Sequence, residues 1–202
     1  KISKKHKTKL LNNTSNRYNY SVIYKVFKEM NLSDNKIVKT FEKIKPIPGR
    51  NNIIQKKGFA KFIIDYAHTE TSFENLLMDV NKSYLEDSNK CIVIFGCGGN
   101  RDKSKRIKMG RTAGLFCDII ILTDDNPRNE KSMDIINSIH QGIPNSIKVH
   151  MIPNRKTAIK KSLKISNIGD IVIIAGKGNE ENIDYGSKTI EHNDIKYLKN
   201  LL

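Results

Sequence analysis

No run of apolar residues in this 202-residue chain approaches the roughly 18 that a membrane-spanning helix needs, so no membrane partner is expected. Lys1 stands where a methionine would begin a complete product, and no signal-peptide pattern follows it. The chain therefore reads as a fragment or a processed product that is not secreted. Cysteine is scarce. Cys91, Cys97 and Cys117 are odd in number and fit no zinc spacing, which argues against a disulfide framework and against a metal site. Cys91 and Cys117 border apolar runs and read as small core residues. Cys97 sits in a glycine loop with no histidine near it in sequence, a poor setting for a nucleophile. Unpaired thiols point to a reducing, cytoplasmic compartment. Acidic residues are also few, 21 against 36 Lys and Arg, for a formal charge of +15. Such an excess invites a nucleic-acid reading. Against it, the cations are almost all Lys, lie scattered along the chain, and have no aromatic residues interleaved with them as stacking platforms. A solvated basic surface without nucleic acid is the preferred reading, and it suits an acidic metabolite. The abundance of Lys, Asn and Ile looks like the codon bias of an AT-rich genome.

Hydrophobic residues make up 38% of the chain, enough for a full core and part of a second domain. Residues 1–16 are polar and basic and read as a cut end or a frayed strand. Residues 17–45 have helical spacing: one helix with Val22, Ile23, Val26, Phe27 and Met30 on a face, then a second with Ser33 as its N-cap. "KPIPGR" at 45–50 breaks helix and places a domain boundary, giving units 1–47 and 48–202. Beyond it the pattern becomes strand, loop, helix, repeated. Strands are expected at 59–65, 90–96, 117–123, 147–152 and 169–176, with helices between them and a short one near 192–202. The strands are continuous apolar runs, as in strands covered on both faces. The expected fold is an open, mostly parallel, Rossmann-like α/β sheet of about five or six strands with helices on both faces.

Four loops then leave the same sheet edge: "DYAHTE", "GCGGNRDKSKR", "DDNPR" and "AGKGNE". In a parallel open sheet ligands bind along that edge, so the four face one crevice. Arg101 and Arg128 each offer a planar fork that suits a carboxylate. Glu180 suits an ammonium, Asp125 and Asn126 add polar partners, Pro127 stiffens its loop, and Gly176 allows close approach to the backbone. Two cationic forks and an acid describe a pocket for a zwitterion, such as an amino acid with more than one carboxylate. The plainer readings stay open. Asp124 or Asp125 caps the next helix, Arg128 pairs with Glu130 at the surface, and the glycines at 96, 98 and 99 form only a turn. "GCGGNR" lacks the third glycine of the dinucleotide fingerprint, and "GCGGNRDKS" lacks the ending of a phosphate-cradling loop. His68 is either an acid/base group or a satisfied loop histidine, the second being preferred. Asp65 either accepts bonds from a ribose or captures a loop amide. His6, His140, His150 and His192 read as isolated surface or boundary residues.

"PGR" (48–50), "DYAHT" (65–69), "FGCGGNRDKSKR" (95–106), "TDDNPR" (123–128) and "AGKGNE" (175–180), in this order and spacing, resemble the Mur ligases of peptidoglycan synthesis. The similarity runs from about residue 17 onward, and "DNPR" resembles the signature of members that add meso-diaminopimelate rather than lysine. The resemblance implies that 1–47 is the tail of a central ATPase domain and 48–202 the C-terminal, amino-acid-binding domain. It implies a diaminopimelate pocket at Arg101, Asp125, Asn126, Pro127, Arg128, Gly176 and Glu180, and an ATP contribution from Arg50 and Asp65 with His68 nearby. The implied reaction uses ATP and Mg2+ to join meso-diaminopimelate to UDP-MurNAc-L-Ala-D-Glu through an acyl phosphate. The phosphate-binding loop, the carbamoylated lysine and the UDP-binding domain of the family have no counterpart in this sequence. No catalytic residue is therefore assigned here, and the chain is expected to be inactive alone. Asn179 replaces a family histidine, Glu70 a proline, and "GGNRDKSK" stands for "GGDRDKGK". A non-catalytic remnant or split-gene binding module of the same fold is the alternative.

Overall fold

The computed structural model describes residues 14–202. The frayed end expected for residues 1–16 lies mostly outside the described residues, as does His6; from Thr14 onward the backbone is helical. The chain divides between Ile47 and Pro48 into two compact units.

The first unit contains helices α1 (Thr14–Glu29) and α2 (Asp34–Lys43). Its small core is Tyr20, Ile37 and Phe41, with Tyr24, Phe27 and Leu32 partly buried against it. The Tyr20 and Phe41 rings meet edge to face at 4.8 Å. Of the expected α1 face only Phe27 turns inward; Val22, Ile23, Val26 and Met30 are exposed, Met30 by 64%. The apolar positions of α1 form two neighbouring stripes. Contact with α2 buries the one carrying Tyr20, Tyr24 and Phe27 at i, i+4 and i+7 spacing. Ser33 is the N-cap of α2 by its extended backbone, but its side chain makes no cap bond.

The second unit is an α/β fold. Its elements are β1 (Asn52–Ile54), β2 (Lys61–Asp65), α3 (Glu70–Tyr84), β3 (Cys91–Phe95), α4 (Ser104–Phe116), β4 (Ile119–Leu122), α5 (Ser132–His140), β5 (Lys148–Met151), α6 (Arg155–Ile165), β6 (Ile171–Ala175), β7 (Asn182–Asp184), β8 (Thr189–Glu191) and α7 (Asp194–Leu201). The main sheet runs β1-β2-β6-β3-β4-β5, with β1 antiparallel to β2 and every other pairing parallel. Two elements are additional to the sequence expectation: the edge strand β1, and the β7–β8 hairpin that forms its own two-stranded sheet.

Alternation along each strand builds two cores, one per face. Ile63, Val93, Phe95, Ile120, Leu122 and Ile173 meet α3, α4 and α5 on one side. Phe62, Ile64, Ile92, Ile94, Ile121 and Ile174 meet α6 and α7 on the other. The chain steps outward from β3 to β5, then returns through α6 to insert β6 between β2 and β3. A return in the opposite direction keeps its right-handed crossover only by changing face, which is why α6 covers the side that α3–α5 leave open. The carboxyl ends of β2, β6, β3 and β4 are thereby brought side by side.

Helix α3 begins at a reciprocal cap. Thr69 Oγ1 accepts the Ser72 N–H at 3.3 Å, and Ser72 Oγ accepts the Thr69 N–H at 3.2 Å. Thr69→Ala is expected to lower stability by about 1 kcal/mol, a melting-point loss of roughly 2–4 °C measurable by calorimetry.

Candidate functional site

The loops after β2, β3, β4 and β6 surround a cleft of about 160 Å³ lined by Tyr66, His68, Gly96, Cys97, Gly98, Arg101, Lys105, Asp125, Asn126, Arg128, Gly176 and Glu180. Six of the seven residues expected to form the zwitterion pocket are among them. Pro127 is the exception: it is buried, and its carbonyl packs against Gly99, where a Cβ would lie 1.9 Å from it. The glycine at 99 is what lets the β3 and β4 loops touch backbone to backbone.

Those two loops are stitched along their length. Gly99 N–H donates to Asn126 O at 2.9 Å. Asn129 N–H donates to Asn100 Oδ1 at 3.1 Å. Asn100 N–H donates to Glu130 Oε1 at 2.6 Å. Buried Arg106 grips both Glu130 oxygens at 3.0 Å. The Arg106 fork, helped by the Asn100 amide, holds the Glu130 carboxyl down at about 2. Glu130 is therefore a staple for the loops, and the surface pair Arg128–Glu130 does not form. Arg128 instead donates Nη1 to Gly99 O at 2.8 Å and stands 3.4 Å through Nε from Asp184 Oδ2. Its backbone is left-handed, φ 51°.

Arg101 lies exposed at the cleft rim with no protein partner among the described residues. Lys105, on the first turn of α4, adds a third cation and ties the rim together by donating to His68 O at 2.8 Å. On the acidic side the structure differs from the simple expectation. Glu180 is not a free anion: Lys177 Nζ donates to its Oε2 at 2.7 Å and Asn126 Nδ2 at 3.1 Å. Burial raises the Glu180 carboxyl, but the Lys177 ammonium and the Asn126 amide more than offset it and keep the group below the usual glutamate range. Lys177 itself is wholly buried and also donates to Asn126 Oδ1 at 3.1 Å. Among the described residues, the cleft carboxylate without a protein hydrogen bond is Asp125, beside the positive-φ backbone of Gly176.

Asp124 is not a simple helix cap. It is buried, accepts the Tyr185 hydroxyl at 3.0 Å, and burial raises its carboxyl. His68 is exposed and satisfied by Tyr66 O at 2.9 Å from Nδ1, the plainer of its two readings. The buried Cys97 thiol is pushed up to about 12 by desolvation and is no nucleophile at neutral pH. Cys91 and Cys117 are buried core residues, as expected. The cleft thus presents groups of both charges.

A second cleft of about 270 Å³ adjoins it, lined by Pro48, Gly49, Arg50, Tyr66, Lys177, Asn179 and Glu180. The Arg50 guanidinium lies 4.5 Å over the Tyr66 ring. Asp65 captures two loop amides, Asn51 N–H at 2.6 Å and Ala67 N–H at 2.8 Å, which fastens the turn carrying Arg50. Tyr66 and Glu180 form a wall common to both clefts.

Sequence reading missed Lys105, Lys177 and Tyr66, although each lies inside a quoted motif; Lys177 and Glu180 stand at an i, i+3 spacing that matches a local ion pair. It also misplaced His192, which is buried at the foot of α7 and hydrogen-bonded through Nε2 to Asp194 Oδ1 at 2.7 Å. Asp194 in turn receives Arg155 Nε at 2.8 Å and Nη2 at 2.7 Å, both side chains being fully buried. Among the described residues no group of three His, Cys, Asp or Glu is placed to hold a metal, and no helix is long and apolar enough to cross a membrane.

A doubly covered, mostly parallel sheet with a charged cleft at its carboxyl edge defines a Rossmann-like α/β domain. The sequence pattern described as "Mur ligase, glutamate ligase domain" matches residues 49–178, and the chain belongs to the Mur ligase family. It is 40% identical over 174 residues to the UDP-N-acetylmuramoyl-L-alanyl-D-glutamate–2,6-diaminopimelate ligase of Buchnera aphidicola subsp. Baizongia pistaciae, covering 86% of this chain and 34% of the relative. A solved structure of a ligase of the same name superimposes with a TM-score of 0.70 at 31% identity, over 86% of this chain and 35% of the other. The fold also matches the MurF ligase of Thermotoga maritima in complex with ADP, TM-score 0.60 at 14% identity, over 94% of this chain and 38% of the other. The chain spans about a third of the length of these relatives.

Proposed function

We propose that this chain provides the amino-acid pocket, and part of the ATP site, of a ligase that adds meso-diaminopimelate to UDP-MurNAc-L-Ala-D-Glu in peptidoglycan synthesis. The observation that carries the reading is the convergence of Arg101, Arg128, Asp125 and Glu180 on one cleft. Meso-diaminopimelate has two ammonium and two carboxylate groups. The arginine forks and Lys105 suit a carboxylate, while Asp125, with Glu180 held in place by Lys177, suits an ammonium. The names of the relatives support the same substrate pair.

In such a reaction the amine of diaminopimelate attacks a glutamyl acyl phosphate and leaves an amide and phosphate. The residues of this cleft would bind and orient the attacking amino acid, which is where much of the advantage of a ligase over free solution lies. The adjoining cleft has the character of an anion site. Arg50 is held over Tyr66, and Asp65 secures its turn. ATP is assigned to Arg50 and the Asp65-fastened loop, with His68 nearby but on the amino-acid side of Tyr66. Magnesium would accompany ATP, without a ligand set from the described residues. Residues 1–47 are proposed to be the tail of the central ATPase domain. The bound nucleotide would supply the phosphoryl group, and none of the residues named is given a catalytic role.

Calorimetric titration of the chain with meso-diaminopimelate and with L-lysine tests the reading. The two differ by one carboxylate, so tighter binding of diaminopimelate is expected. Equal or tighter binding of lysine would remove the pocket assignment.

A further inference from the structure

The β7–β8 hairpin meets the 124–129 loop at three consecutive residues. Asp184 donates its N–H to Asn126 Oδ1 at 2.9 Å, and its carbonyl accepts the Arg128 N–H at 3.0 Å. Its carboxylate stands 3.4 Å from Arg128 Nε. The Tyr185 hydroxyl donates to Asp124 Oδ2 at 3.0 Å. Gly186, φ 73°, packs so closely that a Cβ there would fall 2.1 Å from Asn129 Oδ1.

This contact bears on a strained residue. A non-glycine backbone at φ 51° persists only where its surroundings impose it, and the hairpin holds Arg128 from one side while the loop after β3 holds it from the other. The guanidinium is pinned as well. Nε faces Asp184, and Nη1 donates to Gly99 O at 2.8 Å and Asn126 O at 3.4 Å. Nη2 is left without a protein partner among the described residues. A fork already held at two of its three nitrogens has little rotamer freedom left for a ligand to remove.

We infer that Asp184 is a positioning residue for amino-acid specificity. It braces Arg128 so that the free guanidinium edge meets the distal carboxylate of a diamino-dicarboxylic acid, and so sets the preference over a diamino acid lacking that carboxylate. Asp184 does not line the cleft and acts only through Arg128. The inference rests on the pocket proposed above.

The substitution Asp184→Asn separates this role from a merely structural one. Asp184 Oδ1 also accepts the Gly186 N–H at 2.8 Å, and asparagine keeps that turn bond while losing the charge. Meso-diaminopimelate and L-lysine are titrated into the full chain and its Asp184→Asn, Asp184→Glu and Arg128→Ala variants, with melting curves on each. Because the Asp184 side chain is 44% exposed, its ion pair is a modest one. Asp184→Asn should weaken diaminopimelate about two- to fivefold, leave lysine unchanged and melt close to the parent. Asp184→Glu should recover part of the preference. If Arg128→Ala abolishes the preference while Asp184→Asn leaves it intact, or weakens both ligands equally, the brace is overturned. If neither variant changes the preference, the pocket itself is overturned and the inference with it.

Discussion

Asp194→Ala is expected to cost the second unit about 3–5 kcal/mol, the range for removing one partner of a buried ion pair. Calorimetry should read this as a melting-point loss of roughly 6–20 °C. The size follows from what would be left behind. Arg155 is fully buried and gives Asp194 a two-pronged bond at 2.8 and 2.7 Å. Alanine strands that guanidinium charge away from water. It also strips His192 of its Nε2 partner, when its Nδ1 already has none among the described residues. The pair Arg155→Met with Asp194→Leu should cost much less than Asp194→Ala, because no charge is then left unpaired. The sign of the pH dependence follows from the carboxyl. Burial would raise Asp194, but Arg155 and His192 overcome that and hold it well below the usual aspartate range. A carboxyl depressed in the folded state stabilises fully above its unfolded value of about 3.9 and loses that contribution as pH falls toward the folded value. Parent and Asp194→Ala melting points should therefore converge on acidification. Arg155 reaches beyond the pair, to Asp124 O at 3.2 Å and Ala175 O at 3.0 Å. Each of those carbonyls lies one residue before a cleft residue, Asp125 or Gly176. Arg155 thus ties the starts of both loops to the buried pair, and ligand affinity should fall along with stability.

The central strands β2, β3, β4 and β6 are legible because they are apolar runs separated by helical periods, and the crevice because parallel strands send their loops to one edge. β1, β7 and β8 escaped because three residues are too few to show a period. The α1 face was misjudged for a different reason. Periodicity reports that a helix has apolar stripes, but the contact with α2 chooses which stripe is buried, and it chose the one with Tyr20. The polar interior was the least legible part. Arg155, Lys177, His192 and Asp194 look like surface residues in a basic sequence, and only tertiary pairing makes their burial tolerable. For the same reason Glu180 reads as a free acid in the sequence, although its partner lies three residues before it. The residue types of the cleft could be read from the motifs; which of them are already spent on one another could not.

That distinction decides the second large effect. Arg128→Ala is expected to weaken meso-diaminopimelate about 10- to 100-fold, the equivalent of losing a charge-assisted contact of roughly 1.5–3 kcal/mol. L-Lysine binding should change little, because lysine has no distal carboxylate for the fork to meet. Arg128→Lys should not restore the affinity. An ammonium cannot hold the Gly99 and Asn126 carbonyls and still face a carboxylate with a planar edge. Arg101→Ala should have a smaller effect: its side chain is exposed and unanchored, so binding must first order it and the contact remains open to salt. The contrast can be measured by repeating the titrations at low and high ionic strength. The Arg101 contribution should shrink with salt, while the Arg128 contribution, made from a half-buried and fixed guanidinium, should largely survive. Equal losses for the two variants at both salt concentrations would mean that anchoring does not matter and that the cleft attracts its ligand by overall positive charge alone.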